Sequence, residues 1–138
     1  MNFESSLREG KAKKIIPNKI RALSLIKSSA QAIETAKAIS LNANSVKTIL
    51  RELYEGLREY CEAIGYFKGY KFLDHESIGY FLRGILKEQS IYGKFDRYRK
   101  LRNGINYYGE DIEVETVREA IIEIPKIIKE LEKHRPNF

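Results

Sequence analysis

Apolar residues recur at three- and four-residue intervals along most of this 138-residue chain, the spacing that lines one face of a helix. The first stripe is Ile20, Leu23, Ile26, Ala30, Ile33, Ala36 and Ile39, with Pro17 near its start, where a missing N–H costs little. A second, Val46, Ile49, Leu50, Leu53, Leu57, Tyr60, Cys61, Ile64 and Phe67, opens with Asn42 or Asn44 as its N-cap. The connection from Leu41 to Ser45 is short, which predicts an antiparallel pair. Gly65, Gly69 and Tyr70 end the second helix, and Asp74 caps a third that runs from His75 through Gln89. Its apolar positions are Ile78, Phe81, Leu82, Ile85 and Leu86, and Gly93 is the expected breaker. A fourth helix begins near Phe95 and stops at Gly109, a natural left-handed cap. The last stripe is Val114, Val117, Ala120, Ile121, Ile124, Ile127, Ile128 and Leu131, with Pro125 inside it to kink the helix or remove a hydrogen bond.

No internal repeat, low-complexity linker or alternating run long enough for a sheet interrupts this pattern. The expected fold class is therefore all-α: one up-and-down antiparallel bundle of about five helices around a four-helix core. Residues 17–135 form that single domain, residues 1–16 an N-terminal arm or short extra helix, and residues 136–138 a frayed tail.

Within this frame, the run RKLRNGINYYG, Arg99 to Gly109, contains Asn103-Gly104, a strong signal for a tight hairpin turn. A helical wheel decides against the turn. Leu101, Ile105, Tyr98 and Tyr108 gather within about 80° on one side, while Arg99, Arg102, Asn103 and Asn106 share an arc of about 100° on the other. Gly104 costs such a helix about 1 kcal/mol, which a buried apolar face absorbs.

Composition agrees with a globular chain and narrows its chemistry. Hydrophobic residues make up 43% and charged residues 32%, and no apolar run approaches the roughly 20 residues that span a bilayer. Glu4, Arg8, Glu9 and Lys11 interrupt any secretory signal, so a cytoplasmic protein with no membrane partner is expected. Cys61 is the sole cysteine and sits on an apolar stripe, as a small buried hydrophobe would. It excludes an internal disulfide and a cysteine-based zinc site; with only His75 and His134 besides, neither a metal nor a cofactor is expected.

The net charge of +6 is unevenly spread. Residues 83–102 hold seven bases against Glu88 and Asp96, and residues 1–27 hold seven against Glu4 and Glu9, a net +5 in each zone. Residues 110–135 carry eight acids and five bases. Two basic zones suit a polyanion such as RNA, and equally a solvated surface of mixed charge. The arc of Arg99, Arg102, Asn103 and Asn106 is rich in donors for phosphate or a base edge. Alternatively, Arg102 and Asn103 satisfy one another and acids of the last helix such as Glu119 or Glu123. His75 either sits exposed in a first helical turn or stands close to Arg102, and His134 lies on the surface near a fraying end.

These residues carry a resemblance. GYKFLDHESIGYFL (Gly69 to Leu82), FDRYRKLRNGINYYG (Phe95 to Gly109) and the acidic helix that follows resemble the HEPN domain family, in particular its archaeal proteins, over roughly residues 20–132. The resemblance implies a HEPN-like bundle and a homodimer. Active HEPN proteins are metal-independent endoribonucleases with an R-x(4 to 6)-H motif, often with a polar residue after the Arg, and two motifs meet at the dimer interface. Many are toxins paired with a minimal nucleotidyltransferase antitoxin, and others are inactive binding modules. Arg102 takes the motif's Arg and Asn103 its polar neighbour, and the His position falls on Tyr107 or Tyr108. An unperturbed tyrosine, with a pKa of about 10 against about 6.5 for histidine, is a weak base at neutral pH.

Three functions follow as expectations. The first is a dimeric RNA- or nucleotide-binding module using Arg99, Arg102, Asn103, Asn106, Tyr108 and His75, with little or no cleavage. The second is an endoribonuclease toxin with Arg102, Asn103 and Tyr107 as catalytic residues, or with His75 in place of the missing base. The third is a protein-interaction subunit held by a nucleotidyltransferase.

Overall fold

The longest helix of the chain is also its axis. The computed structural model describes residues 1–136, and in it α3 (Val46–Lys68) has thirteen buried residues, among them Leu50, Leu53, Tyr54, Leu57 and Ile64. A helix buried over so wide an arc has to be covered on several sides. α2 (Lys19–Ala38), α4 (His75–Gly84), α5 (Gln89–Tyr108) and α6 (Val114–Leu131) all pack on it. The protein is mostly helical, in the all-α class, with one small sheet among the described residues.

α2 and α3 run antiparallel, as the short connection predicts. The Asn18 N–H meets the Tyr66 carbonyl at 2.9 Å, and the Ser29 hydroxyl donates to the Gly56 carbonyl at 2.6 Å. Asn18 caps α2 by accepting from the Arg21 N–H. Neither Asn42 nor Asn44 caps α3: Ser45 holds that position, while the Asn42 carboxamide accepts from the Asn44 N–H and tightens the loop before it. α4 and α5 form a second antiparallel pair, with Tyr80 beside Tyr92 and Arg83 over the Tyr92 ring. α6 runs unbroken through Pro125 and ends in a short turn of 3-10 helix, Glu132–His134.

On α2 the buried face is Ala22, Leu25, Ser29, Ala32, Ile33 and Ala36, mostly small residues that let the helix approach α3 closely, so Ile20, Leu23 and Ala30 of the expected stripe are left exposed. Two further expectations are corrected. α4 stops at Gly84, not near Gln89, and α5 starts at Gln89, so Gly93 lies inside a helix and breaks nothing. The chain reverses instead at Lys87, which adopts φ 59°, while the Leu86 N–H returns to Phe81 and the Glu88 N–H to Leu82. A left-handed residue with such backward bonds ends a helix whether or not it is glycine. The second correction is a sheet. β1 (Ala12–Lys14) pairs antiparallel with β2 (Tyr70–Phe72), Lys13 opposite Lys71.

That ribbon fastens the N-terminus to the bundle. α1 (Phe3–Arg8) places Phe3 against Tyr70, Phe72 and Phe81, with ring centroids 5.2 to 6.1 Å apart. The Ser6 and Ser77 hydroxyls are 3.0 Å apart beneath it. At the far end, Pro136 is exposed, and residues 137 and 138 of the expected frayed tail lie outside the described residues.

Gly69 ends α3 with φ 87°, and an added Cβ would sit 2.7 Å from the Ile15 carbonyl oxygen. Gly109 ends α5 with φ 63° in open space. Alanine at either position takes on left-handed strain, but only at 69 does it also push the strand ribbon off α3. Chemical denaturation should show Gly69→Ala costing about 2 kcal/mol or more and Gly109→Ala about 1 kcal/mol. Equal losses would mean that the ribbon contributes nothing to the fold.

A candidate anion-binding cleft between α4 and α5

The Asp74 carboxylate accepts from the Ser77 N–H at 2.9 Å and so starts α4 with His75 and Glu76 in its first turn. Because α5 runs antiparallel to α4, this first turn lies beside the last turns of α5. Asp74, His75, Glu76, Arg99, Arg102, Asn103 and Tyr107 together line an open cleft of about 360 Å³. Five residues singled out in the sequence, His75, Arg99, Arg102, Asn103 and Tyr107, therefore meet in one place. Asn106 turns instead toward α3, where its carbonyl oxygen accepts from Arg51 Nε at 2.7 Å. Tyr108 leaves the apolar stripe that the wheel gives it: it is 78% exposed at the end of α5, past the bundle surface that buries Tyr98 and Ile105. A larger groove of about 740 Å³, between α1 and β1, is lined by Leu7, Arg8, Lys13 and Lys14 among others, but no histidine, amide or phenol converges there.

The floor of the cleft rests on Tyr54, a residue that the sequence stripes pass over. Its hydroxyl lies 3.0 Å from His75 Nδ1, and the two rings are 5.7 Å apart. Burial pushes the Tyr54 hydroxyl well above its ordinary value, against the pull of Arg102, so it stays protonated. With no other acceptor in reach among the described residues, that O–H donates to Nδ1. His75 therefore holds its own hydrogen on Nε2. Burial also drives the His75 pKa down to about 4, helped by the Arg58 and Arg102 cations and opposed by Glu55 and Asp74. His75 is neither exposed nor charged at neutral pH; it is a half-buried neutral ring that offers one N–H donor.

Three arginines surround this floor, and their partners separate them. Arg58 is held by Glu55 and Glu62, its neighbours on α3. Arg99 is held by Asp96 at 2.8 Å; burial raises the Asp96 carboxyl, but the bonds from Arg99 and Lys100 outweigh it and keep the group ionised. Arg102 has no carboxylate in ion-pair reach among the described residues. Its Nη1 meets the Asn103 carbonyl oxygen at 3.3 Å, and its guanidinium lies 5.7 Å from the Tyr54 ring centroid and 5.8 Å from that of Tyr107. The acids expected to neutralise it are engaged elsewhere: Glu119 faces Arg97, and Glu123 accepts from the Tyr98 hydroxyl at 2.5 Å and faces Lys94. The guanidinium keeps free N–H donors, planar and flanked by aromatic faces.

The remaining candidates lie away from the cleft. His134 is not on open surface: it bonds Glu88 at 2.7 Å and ties the end of α6 to the α4–α5 junction. Cys61 is fully buried, and burial pushes its thiol far above the usual range, as suits an inert packing residue. Among the described residues no three His, Cys, Asp or Glu side chains converge as metal ligands would, and no helix is long and apolar enough to cross a membrane.

The electrostatics of His75 can be read directly by proton NMR. Its ring should titrate near pH 4, and Arg102→Ala, by removing a repelling cation, should move the midpoint upward. Because the folded value lies below the unfolded one, the unfolded chain binds more protons, so this group's contribution to stability falls as pH drops from about 6.5 to about 4. A wild-type midpoint near 6.5 would contradict the buried contact with Tyr54.

The chain matches no protein-family model, no curated protein and no solved structure.

Proposed function

We propose that the chain is a HEPN-like helical module that acts as a homodimer and binds RNA or a nucleotide at the α4–α5 cleft, with little or no cleavage. The observation that carries this reading is Arg102: a guanidinium in an open cleft, fixed between two aromatic rings and without a carboxylate partner among the described residues. Such a group answers a phosphate with charge-assisted hydrogen bonds. Asn103 offers its amide N–H donors beside it, and His75 its Nε2–H. Tyr107, 68% exposed at the cleft edge, presents a face on which a base can stack. The carboxylates at the rim have local tasks, Asp74 as a helix cap and Glu76 as acceptor from the Tyr80 hydroxyl at 2.7 Å.

The same geometry argues against efficient strand cleavage. Attack by a ribose 2′-hydroxyl needs a base poised near neutral pH. His75 stands where such a base would be useful, but its Nδ1 lone pair is occupied by Tyr54 and its pKa is about 4. Arg102, Asn103 and Tyr107 supply donors and a stacking face but no second imidazole. The resemblance to HEPN proteins is what suggests the homodimer, and it fits the place of Arg102 and Asn103 on the helix before the last.

Incubating the protein with labelled single-stranded RNA in chelator tests this reading. The RNA should bind and remain intact, with affinity falling steeply as salt rises. Arg102→Ala should weaken binding about tenfold, the loss of one charged hydrogen-bond pair. Chelator-resistant cleavage that disappears in Arg102→Ala would instead make the protein a ribonuclease. Absence of binding at low salt would end the proposal.

A further inference from the structure

From the pairing of Arg51 with Asn106, we infer that the cleft continues into a second phosphate subsite, so that its ligand is an oligonucleotide strand and not a mononucleotide. This rests on the proposed function of the Arg102 cleft. Of Arg51 and the three arginines around Tyr54, only Arg51 and Arg102 lack a carboxylate partner among the described residues, and the two are built alike. Arg102 Nη1 donates to the Asn103 carbonyl oxygen, and Arg51 Nε donates to that of Asn106. Both asparagines therefore keep their NH₂ donors directed away from the arginine, and both guanidiniums keep full charge. A carboxylate in either place would cancel that charge; a neutral amide orients the fork and leaves it available.

Their placement is that of neighbouring sites on one strand. Asn106 follows Asn103 by three residues on α5, so the two side chains project from the same face about one turn apart. On α3, Arg51 precedes Tyr54 by three residues, a rise of about 4.5 Å, and Tyr54 is the ring over which Arg102 lies. Arg51 is exposed, as is Asn106, so a ligand reaches both without displacing the core. Arg58 and Arg99, the remaining arginines of this surface, are consumed by Glu55, Glu62 and Asp96 and do not extend the track. Lys47, one further turn up α3, faces Asp111 at 3.5 Å, which closes it at that end. Two open cations in a row fit two consecutive phosphates.

The test compares two probes, a short fluorescein-labelled single-stranded RNA and adenosine monophosphate, against the wild type, Arg51→Ala and Arg102→Ala. Arg51→Ala should bind the RNA about tenfold more weakly, with the salt slope smaller by about one released counterion, and should bind the mononucleotide as the wild type does. Arg102→Ala should weaken both probes. Arg51→Lys should restore the salt slope, since the charge returns, while regaining only part of the affinity lost with the fork. If Arg51→Ala weakens both probes equally or neither, the second subsite is overturned while the Arg102 cleft stands. If Arg102→Ala leaves both probes unaffected, the cleft is not the binding site and the subsite falls with it. Arg51 is exposed and contacts α5 through a single hydrogen bond, so an unchanged thermal transition will separate lost binding from lost folding.

Discussion

The burial of α3 is the constraint from which the rest follows. A 23-residue helix with more than half its positions buried leaves only a narrow polar strip, and residues on that strip must either pair or point to solvent. Arg58, Glu55 and Glu62 pair within the helix. Glu59 is nearly enclosed, and burial raises its carboxyl, with a hydrogen bond from Ser28 pulling the other way. Tyr54 is enclosed entirely, so its hydroxyl has to find a partner or leave a polar atom orphaned in the core. The partner is His75, and that bond ties the start of α4, already packed through Ile78, Phe81 and Leu82, to the middle of α3. The cleft is thus a by-product of covering α3: its floor is the outermost layer of the core.

Charge then decides which parts of the surface remain open to a ligand. The basic stretch at 83–102 suggests a broad polyanion-binding face, yet most of its cations are answered. Arg99 and Lys100 share Asp96, Arg97 and Lys94 face Glu119 and Glu123, and Arg83 donates to the Met1 carbonyl at 2.7 Å while lying over Tyr80 and Tyr92. The exposed pairs among these add little stability, a few tenths of a kcal/mol each, but all of them lower the local potential. Arg102 differs because the acidic last helix, which carries the needed carboxylates, has spent them on α5 residues nearer the start of that helix. The counter-charge runs out toward the C-terminal end of α5, and there the donors gather.

How far the sequence reaches follows from what each element depends on. The five long helices were legible, because burial imposes a 3.6-residue period that a single chain displays, but the face of α2 was not: Ile20, Leu23 and Ala30 of its expected stripe are exposed, and the small residues Ala22, Ser29 and Ala32 are buried with Leu25 instead. So was the helical course of Asn103-Gly104, and Gly109 as its end. The α4–α5 boundary was not. The residue that turns left-handed there is Lys87, and nothing in its side chain announces that conformation, whereas Gly93 has the look of a breaker and sits on an exposed helical surface that tolerates it. The ribbon of β1 and β2 escaped notice because three residues are too few for an alternation to register, and their pairing joins segments nearly sixty residues apart. The partners of Tyr54 and His134 were hidden for the same reason: hydrogen bonds between distant elements leave no period in the sequence.

What distinguishes Arg102 from the other charged groups of the cleft is the neutrality of the groups that touch it. Arg102 is bordered by an amide, two aromatic rings and an uncharged imidazole, none of which can take its charge or accept its proton. A site meant to move a proton at neutral pH needs a group whose two protonation states are close in energy. Here burial and two nearby arginines hold His75 far to one side of that balance, and the Tyr54 hydroxyl, pushed the other way by its own burial, reinforces the same protonation pattern. The two shifts support each other: a protonated phenol requires an acceptor, and an imidazole that stays neutral among cations provides one. Converting this arrangement to acid–base chemistry would mean exposing Tyr54 to water, and Tyr54 belongs to the buried face of α3 on which the fold rests. The core therefore biases the cleft toward holding an anion and away from transforming it.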